Sequence, residues 1–345
     1  MSGVLAVRLD GMGDVLLAGP AIRALAAGGV PVPMLVGPAG VAAAELLPGV
    51  TEVLSFDAPW VAADPVAYDA QQTEALIRTI RRVKPDQAVV FTSFHQSPLP
   101  AALLLRMAGV PRISAISVDY PGSLLDVRHL VDDDLPEPER GLSLARAAGF
   151  ALPDGDDGAL AVRSPLPVPD HLDHLDHLAD YVVVHPGCTA PARTWPAERW
   201  TRAVAALGEA GYRVLVTGGR GERRLTATVS RGAPDAVDLG GRTTLAELAA
   251  VLARAQVVVA PNTGPAHLAA AVGTPVVSLF SPVVPAVRWA PYRVPSVLLG
   301  DQEAACAGSR ARECPVPGHP CLNGVWPEDV VAAVAKLMPA AAGAA

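Results

Sequence analysis

Three places in the chain put reactive groups where a helix begins. The stretch Val257 to Ser281, VVVAPNTGPAHLAAAVGTPVVSLFS, runs from an apolar β-branched strand through Asn262-Thr263-Gly264 into a helix with Pro265 at its first position. Free backbone N–H groups and the positive end of the helix dipole suit a phosphate there. The competing reading is an ordinary strand-to-helix corner, with Thr263 as its cap and His267 as a satisfied helix histidine. Near the start, Asp14 lies in the first turn of a helix that follows the strand Val4 to Leu9 and a turn containing Gly11 and Gly13. An acid at that position interacts favourably with the dipole, which also keeps the carboxylate ionised, as a general base requires. In the middle, HPGCTAPARTWPAERW presents the Thr189 hydroxyl and the Arg193 guanidinium ahead of a helix starting near Pro196. A planar cation facing a helix N-terminus is what a departing diphosphate needs; the alternative is a surface arginine beside a structural Trp195.

Repeated βα units must hold these groups. After the first unit, strands at Val32 to Val36, Val53 to Phe56, Ala88 to Thr92 and Arg112 to Ser117 alternate with helices at Val41 to Leu47, Thr73 to Val83 and Leu99 to Ala108. Such alternation implies a parallel sheet with right-handed crossovers. The loop SFHQSPLP after the strand at Ala88 is placed on the acceptor side, with His95 an incidental histidine. The dinucleotide fingerprint wants a third glycine where this chain has Leu16, which argues against a Rossmann dehydrogenase. Between Asp119 and Ala161 the pattern loosens into turns, then a helix from about Glu137 to Ala148. The acidic run Asp132-Asp133-Asp134 there reads as a solvated loop rather than a metal-diphosphate clamp.

A proline-rich connector, SPLPVP, precedes a DHL triplet repeated three times. It spaces His171, His174 and His177 by three, but Leu172, Leu175 and Leu178 account for the repeat as a weak apolar stripe. The second half restarts the alternation. After strands at Tyr181 to His185 and Arg213 to Thr217, Gly218-Gly219 leads into a helix opened by Glu222, then come a short strand at Ala236 to Leu239 and the helix of TTLAELAAVLARA. Thr244 and Glu247 form a capping box on the latter.

Composition bounds the reading. A chain of 345 residues exceeds one ordinary core, so two domains are expected. With 51% hydrophobic but only 4% aromatic residues, the apolar content is Ala, Val and Leu, which suits helices packed on parallel strands. The net charge of -7 argues against nucleic acid as a partner. No apolar run approaches the roughly 20 residues of a spanning helix, and the opening MSGVLAVRLDGMG enters a strand at once, so a cytoplasmic chain is expected. Cys188 stands alone, whereas Cys306, Cys314 and Cys321 cluster near the end, an odd number that cannot pair completely. Oligomeric state carries no sequence signal.

Three segments in order, GMGDVLLAGPAIRAL, HPGCTAPARTWPAERW and PNTGPAHLAAAVGTPVVSLFSP, resemble glycosyltransferase family nine, the heptosyltransferase-like enzymes. The tail CAGSRARECPVPGHPCL also resembles that family, which makes the cysteine cluster a family feature. Cys306, Cys314, His319 and Cys321 depart from paired zinc-knuckle spacing. The resemblance implies an α/β fold of the GT-B architecture, two Rossmann-like domains with parallel sheets facing across a cleft. The expected division is an acceptor domain at 1–165, a linker at 166–179, a nucleotide-sugar donor domain at 180–325 and a closing helix and tail at 326–345. It further implies an inverting transfer with ADP-heptose as donor, without a cofactor or an obligatory metal. Asp14 would be the general base, with Arg193, Thr189, Thr263 and Gly264 on the leaving diphosphate. Gly13, Gly218, Glu222, Asn262 and His267 would complete the donor site, Glu222 at the ribose hydroxyls and Asn262 where some relatives carry an acid that reads the sugar. The acceptor would be the lipopolysaccharide core or a soluble small molecule, with peripheral association at the inner membrane face in the first case. An epimerase or hydrolase on the same scaffold, or a silent nucleotide-sugar binding protein, are the alternatives.

Overall fold

The computed structural model describes residues 3–61, 64–132, 134–167 and 180–338. By its internal contacts the chain divides into two units, Met1–Arg163 and Ser164–Ala345. The three DHL histidines and Asp133 lie outside the described residues; Asp132 and Asp134 are exposed and belong to no helix or strand.

In the first unit the alternating pattern folds as β1 (Val4–Arg8), α1 (Met12–Leu17), α2 (Gly19–Ala26), β2 (Val32–Val36), α3 (Val41–Leu46) and β3 (Val50–Ser55). It continues with α4 (Ala70–Val83), β4 (Gln87–Val90), α5 (Leu99–Met107), β5 (Arg112–Ile116), β6 (Val127–His129) and α6 (Glu137–Ala147). The six strands form one parallel sheet in the order β3-β2-β1-β4-β5-β6. Helices cover both faces, so β1 and β2 are buried at every position and read as unbroken apolar runs rather than alternating ones. Asp69 caps α4, its carboxylate accepting from the Gln71 and Gln72 N–H groups at 2.8 and 3.1 Å.

The second unit comprises β7 (Tyr181–Val184), α7 (Ala197–Glu209), β8 (Arg213–Val216), α8 (Arg223–Val229), β9 (Val237–Asp238), α9 (Leu245–Ala253), β10 (Val257–Pro261) and α10 (Gly264–Ala271). It ends with β11 (Val276–Leu279), α11 (Ala286–Trp289), β12 (Ser296–Leu299), α12 (Pro320–Asn323) and α13 (Pro327–Leu337). Its parallel sheet runs β12-β11-β10-β7-β8-β9. Counted from its own first strand, each sheet therefore has the same order, the doubly wound one in which the connections reverse direction between the first and fourth strands.

Trp200 of α7 anchors the second core. It is fully buried and meets Trp195 edge-on with ring centroids 5.2 Å apart. The Tyr181 hydroxyl, also buried, donates to the Val251 carbonyl at 2.7 Å. The capping box on α9 forms as the sequence indicates, with Thr244 Oγ1 accepting from Glu247 N at 3.3 Å and the Glu247 carboxylate accepting from Thr244 N at 2.7 Å. Helix α13 packs on α7, where Arg199 Nη1 donates to the carbonyls of Asn323 and Val325 at 2.8 and 2.7 Å and its guanidinium stacks over Trp326.

Two strands depart from the sequence expectation. β6 arises within the stretch read as turns, and β12 emerges from RVPSVLLGDQ. Each is an edge strand pairing with one neighbour, so a short, half-buried sequence suffices to form it.

Candidate active site

Open parallel sheets present ligands at the carboxyl ends of the strands, where the connections reverse. In the first unit that point lies between β1 and β4. Arg8, the last residue of β1, is only 4% exposed, and a buried cation requires partners. Its Nη2 donates to Asp14 Oδ1 at 2.9 Å and Ser93 Oγ at 3.0 Å, and lies 3.5 Å from Glu137 Oε2. Its Nε is 2.8 Å from Asp10 Oδ2. Glu137, buried in the first turn of α6, also lies 3.6 Å from Arg140 Nη1, which donates to the Thr92 carbonyl at 2.6 Å. Gln96 Nε2 donates to Asp10 Oδ1 at 2.5 Å.

Three carboxylates and two guanidiniums thus converge where one strand ends and a helix begins. Burial works against the charge of Arg8, but Asp10, Asp14 and Glu137 outweigh it and raise its pKa further. For Asp10 burial dominates over Arg8 and lifts the carboxyl to about 6. Asp14 is the outward acid of the group, its side chain 27% exposed. Gly13 sits beside it within the first turn of α1 rather than in the preceding turn. From the loop SFHQSPLP, Ser93 and Gln96 join this cluster, while His95 is exposed and packs edge-on against Phe94.

In the second unit the corresponding point lies between β7 and β10. His185 follows β7 and is buried; its Nδ1 is 3.0 Å from Thr217 Oγ1 and its Nε2 is 3.8 Å from Glu222 Oε2. Burial lowers its pKa to about 4 against the opposing pull of Glu222, so the imidazole is neutral near pH 7. The Glu222 carboxylate accepts from Gly219 N at 2.7 Å. It lies so close over Gly187 that a Cβ there would stand 1.9 Å from Oε1. At Gly218 a Cβ would come within 2.6 Å of the Thr226 methyl. Neither glycine has a positive φ, so what the missing side chain provides is room, for the Glu222 carboxylate at Gly187 and for the Thr226 methyl at Gly218.

His185 gives stability a defined pH slope. Its folded pKa of about 4 lies below the ordinary 6.5, so across that window the unfolded chain takes up a proton that the folded chain refuses. Stability contributed by this group is complete above about pH 6.5 and is lost as pH falls toward 4. Asp10, raised from 3.8 to about 6, acts in the opposite sense between those values. His185→Gln should therefore flatten the acid-side fall in melting temperature relative to the unsubstituted protein, and equal slopes in the two would contradict the assignment.

The turn from β10 into α10 holds the remaining groups. Thr263 is the N-cap residue in extended conformation, but its side chain makes no capping hydrogen bond. Gly264 is the first helical residue, so Pro265 occupies the second position rather than the first expected from sequence; its missing N–H costs nothing at either, since the first N–H groups of a helix have no partner within it. Asn262 is buried, with Nδ2 3.5 Å from the Ser281 carbonyl, and its Oδ1 makes no hydrogen bond among the described residues. Arg193 ends the short helical turn Pro191–Arg193 and reaches this corner, Nη1 donating to the Asn262 carbonyl at 3.4 Å. Its buried Nε makes no hydrogen bond among the described residues. His267 is buried on α10, and Thr189 is exposed on the Arg193 loop.

The structure accordingly brings Arg193, Asn262, Thr263, Gly264 and His267 to one corner, and joins Glu222 and Gly218 to each other beside Gly187. Sequence reasoning missed Arg8, Asp10, Glu137, Arg140 and His185. The available signal was Arg8 itself, a charge inside the otherwise apolar run VLAVRL.

Cys306 and Cys321 are buried, and Cys314 packs against the same core. Burial pushes the Cys321 thiol up to about 11, helped by Cys306 and Cys314, so it stays protonated beside Ser281 Oγ at 3.7 Å. His319 Nε2 instead faces the Ala192 carbonyl at 3.1 Å. Among the described residues no three His, Cys, Asp or Glu side chains are grouped to hold a metal ion.

Comparison with known proteins bears on this arrangement. The model of glycosyltransferase family 9 (heptosyltransferase) matches residues 73–319. The chain is 31% identical over 175 residues to lipopolysaccharide heptosyltransferase 3 of Escherichia coli, covering 49% of this chain and 50% of that protein. It is 35% identical over 165 residues to lipopolysaccharide heptosyltransferase 1 of Pseudomonas aeruginosa, covering 45% and 46% respectively. The chain thus spans about half the length of the curated relatives it matches. Among solved structures, a family 9 glycosyl transferase from Veillonella parvula superposes with a TM-score of 0.76 at 17% identity over 97% of each chain. The E. coli ADP-heptose lipopolysaccharide heptosyltransferase II does so with a TM-score of 0.71 at 18% identity over 97% and 98%. These likenesses show the GT-B fold, two Rossmann-like units each built on a parallel sheet. Since the family match takes in well over half of the sequence, the chain belongs to glycosyltransferase family 9, the heptosyltransferase family.

Proposed function

We propose that the protein is an inverting, metal-independent glycosyltransferase that moves heptose from ADP-heptose to an acceptor hydroxyl, on the lipopolysaccharide core or on a soluble small molecule. The observation that carries this reading is a ligand-ready group at the equivalent switch point of each unit: a partly exposed carboxylate on a buried charge cluster in one, and a cation at a helix N-terminus in the other. The names of the relatives support heptose as the sugar.

The first unit takes the acceptor and the second the donor. Asp14 receives the proton of the acceptor hydroxyl while that oxygen attacks the anomeric carbon from the side opposite the diphosphate. The C–O bond to the diphosphate breaks as the new glycosidic bond forms. Arg193, the Thr189 hydroxyl and the N–H groups of Thr263 and Gly264 take up the charge that develops on the departing diphosphate. Glu222 beside Gly218 accepts hydrogen bonds from the ribose, and Asn262 and His267 complete the donor pocket. Among the described residues no helix is long and apolar enough to cross a membrane; work at the cytoplasmic membrane face would be peripheral.

The test is turnover with ADP-heptose and other nucleotide sugars, with and without acceptor, in the presence of EDTA. The expected result is ADP release that requires acceptor and survives chelation. Free or epimerised sugar without acceptor would instead identify a hydrolase or epimerase. Thermal stabilisation by ADP with no turnover on any acceptor would identify a binding protein.

A further inference from the structure

Asp14 does not stand alone at the end of β1: its Oδ1 is held at 2.9 Å by Arg8 and approached by Ser93 Oγ at 3.5 Å. A base held by an arginine faces a conflict, because the cation that orients a carboxylate also weakens its hold on a proton. Here the arginine is divided. Its Nε lies 2.8 Å from Asp10, and Nη1 and Nη2 each lie 3.5 Å from Glu137.

We propose that Arg8 is the positioning residue of the base, fixing the Oδ1 edge of Asp14 and leaving the second oxygen to the acceptor, while Asp10 and Glu137 offset its charge. This rests on the reading of Asp14 as general base. The charged groups facing Asp14 are Arg8 from β1, Asp10 from the β1–α1 turn, and Glu137 with Arg140 from α6. The β4–α5 loop contributes the neutral Ser93 and Gln96. Lysine cannot substitute well, because three separate carboxylates around one buried cation call for the forked donors of a guanidinium rather than a single ammonium. The Glu137 contact also explains the position of α6, whose first turn brings a buried acid to this cluster. Burial of Arg8, Asp10 and Glu137 fixes the cluster, whereas Asp14 reaches outward from it.

Arg8→Lys, Asp10→Asn and Asp14→Asn are to be compared for kcat, donor KM, ADP affinity and yield of folded enzyme. Arg8→Lys should lower kcat by about tenfold or more, in line with the cost of misplacing a reacting group by about 1 Å, and leave donor KM within about twofold. Arg8→Met, if it folds, should fall further. Asp10→Asn keeps the shape of the cluster but loosens its hold on Arg8 Nε, so kcat should fall while donor KM stays within about twofold. A merely structural role would lower the yield of folded enzyme without changing kcat of the folded fraction. Wild-type kcat in Arg8→Lys, or a donor KM that rises in step with the fall in kcat, alongside an inactive Asp14→Asn, overturns the positioning role alone. Full activity in Asp14→Asn overturns the base reading and this proposal with it.

Discussion

Replacing Asp14 by asparagine is expected to lower turnover by at least about a hundredfold, the usual scale for removing a general base, while ADP affinity stays unchanged. Asparagine has nearly the same shape, and its oxygen can still accept from Arg8 Nη2, so the buried cluster is preserved. What disappears is the ability to take a proton as the acceptor oxygen bonds to the sugar. At about 1.36 kcal/mol per factor of ten, a hundredfold loss corresponds to about 2.7 kcal/mol of transition-state stabilisation. ADP affinity is spared because the substitution leaves Gly13 unaltered and the other proposed donor contacts lie in the second unit. Steady-state rates with calorimetric ADP binding check both halves. A rate near that of the unsubstituted protein would reduce Asp14 to an acid that merely complements the helix dipole.

Arg193→Ala should act on both binding and rate. The guanidinium reaches the β10–α10 corner, and with a single Nη1 contact to the Asn262 carbonyl and an uncommitted Nε among the described residues it has donors to spare for a phosphate. Removing a charge aimed at the developing anion costs roughly a hundredfold to a thousandfold in turnover, as for other preorganised donors. Because the diphosphate already carries negative charge before transfer, ADP affinity should fall as well. Arg193→Lys should restore part of both, since an ammonium supplies the charge without the planar fork. Unchanged ADP affinity in Arg193→Ala would remove this residue from the site.

Much of the fold was legible because its physics is local. The apolar runs of β1, β7 and β10, and the helix-start chemistry at Asp14 and Thr263, are written in adjacent residues. Arg193 was legible for the same reason, as a lone cation ahead of the helix that begins near Pro196. What remained hidden depends on contacts distant in sequence. The Arg8–Glu137 contact joins residues 129 positions apart, and Glu137 reads locally as an ordinary first-turn acid of α6. His185 looked like the end of a strand, and only the meeting of the connections after β7 and β8 shows it wedged between Thr217 and Glu222. The edge strands β6 and β12 were missed because one-sided pairing leaves little periodicity to read. Pro265 was misplaced by one position because sequence alone does not say whether Gly264 precedes the helix or opens it.

The anomeric configuration of the product, read by NMR after a single transfer from an ADP-linked sugar of known configuration in the presence of EDTA, tests the proposed chemistry most directly. Direct attack by an Asp14-activated hydroxyl opposite the diphosphate predicts a glycoside of inverted configuration. Retained configuration would contradict it.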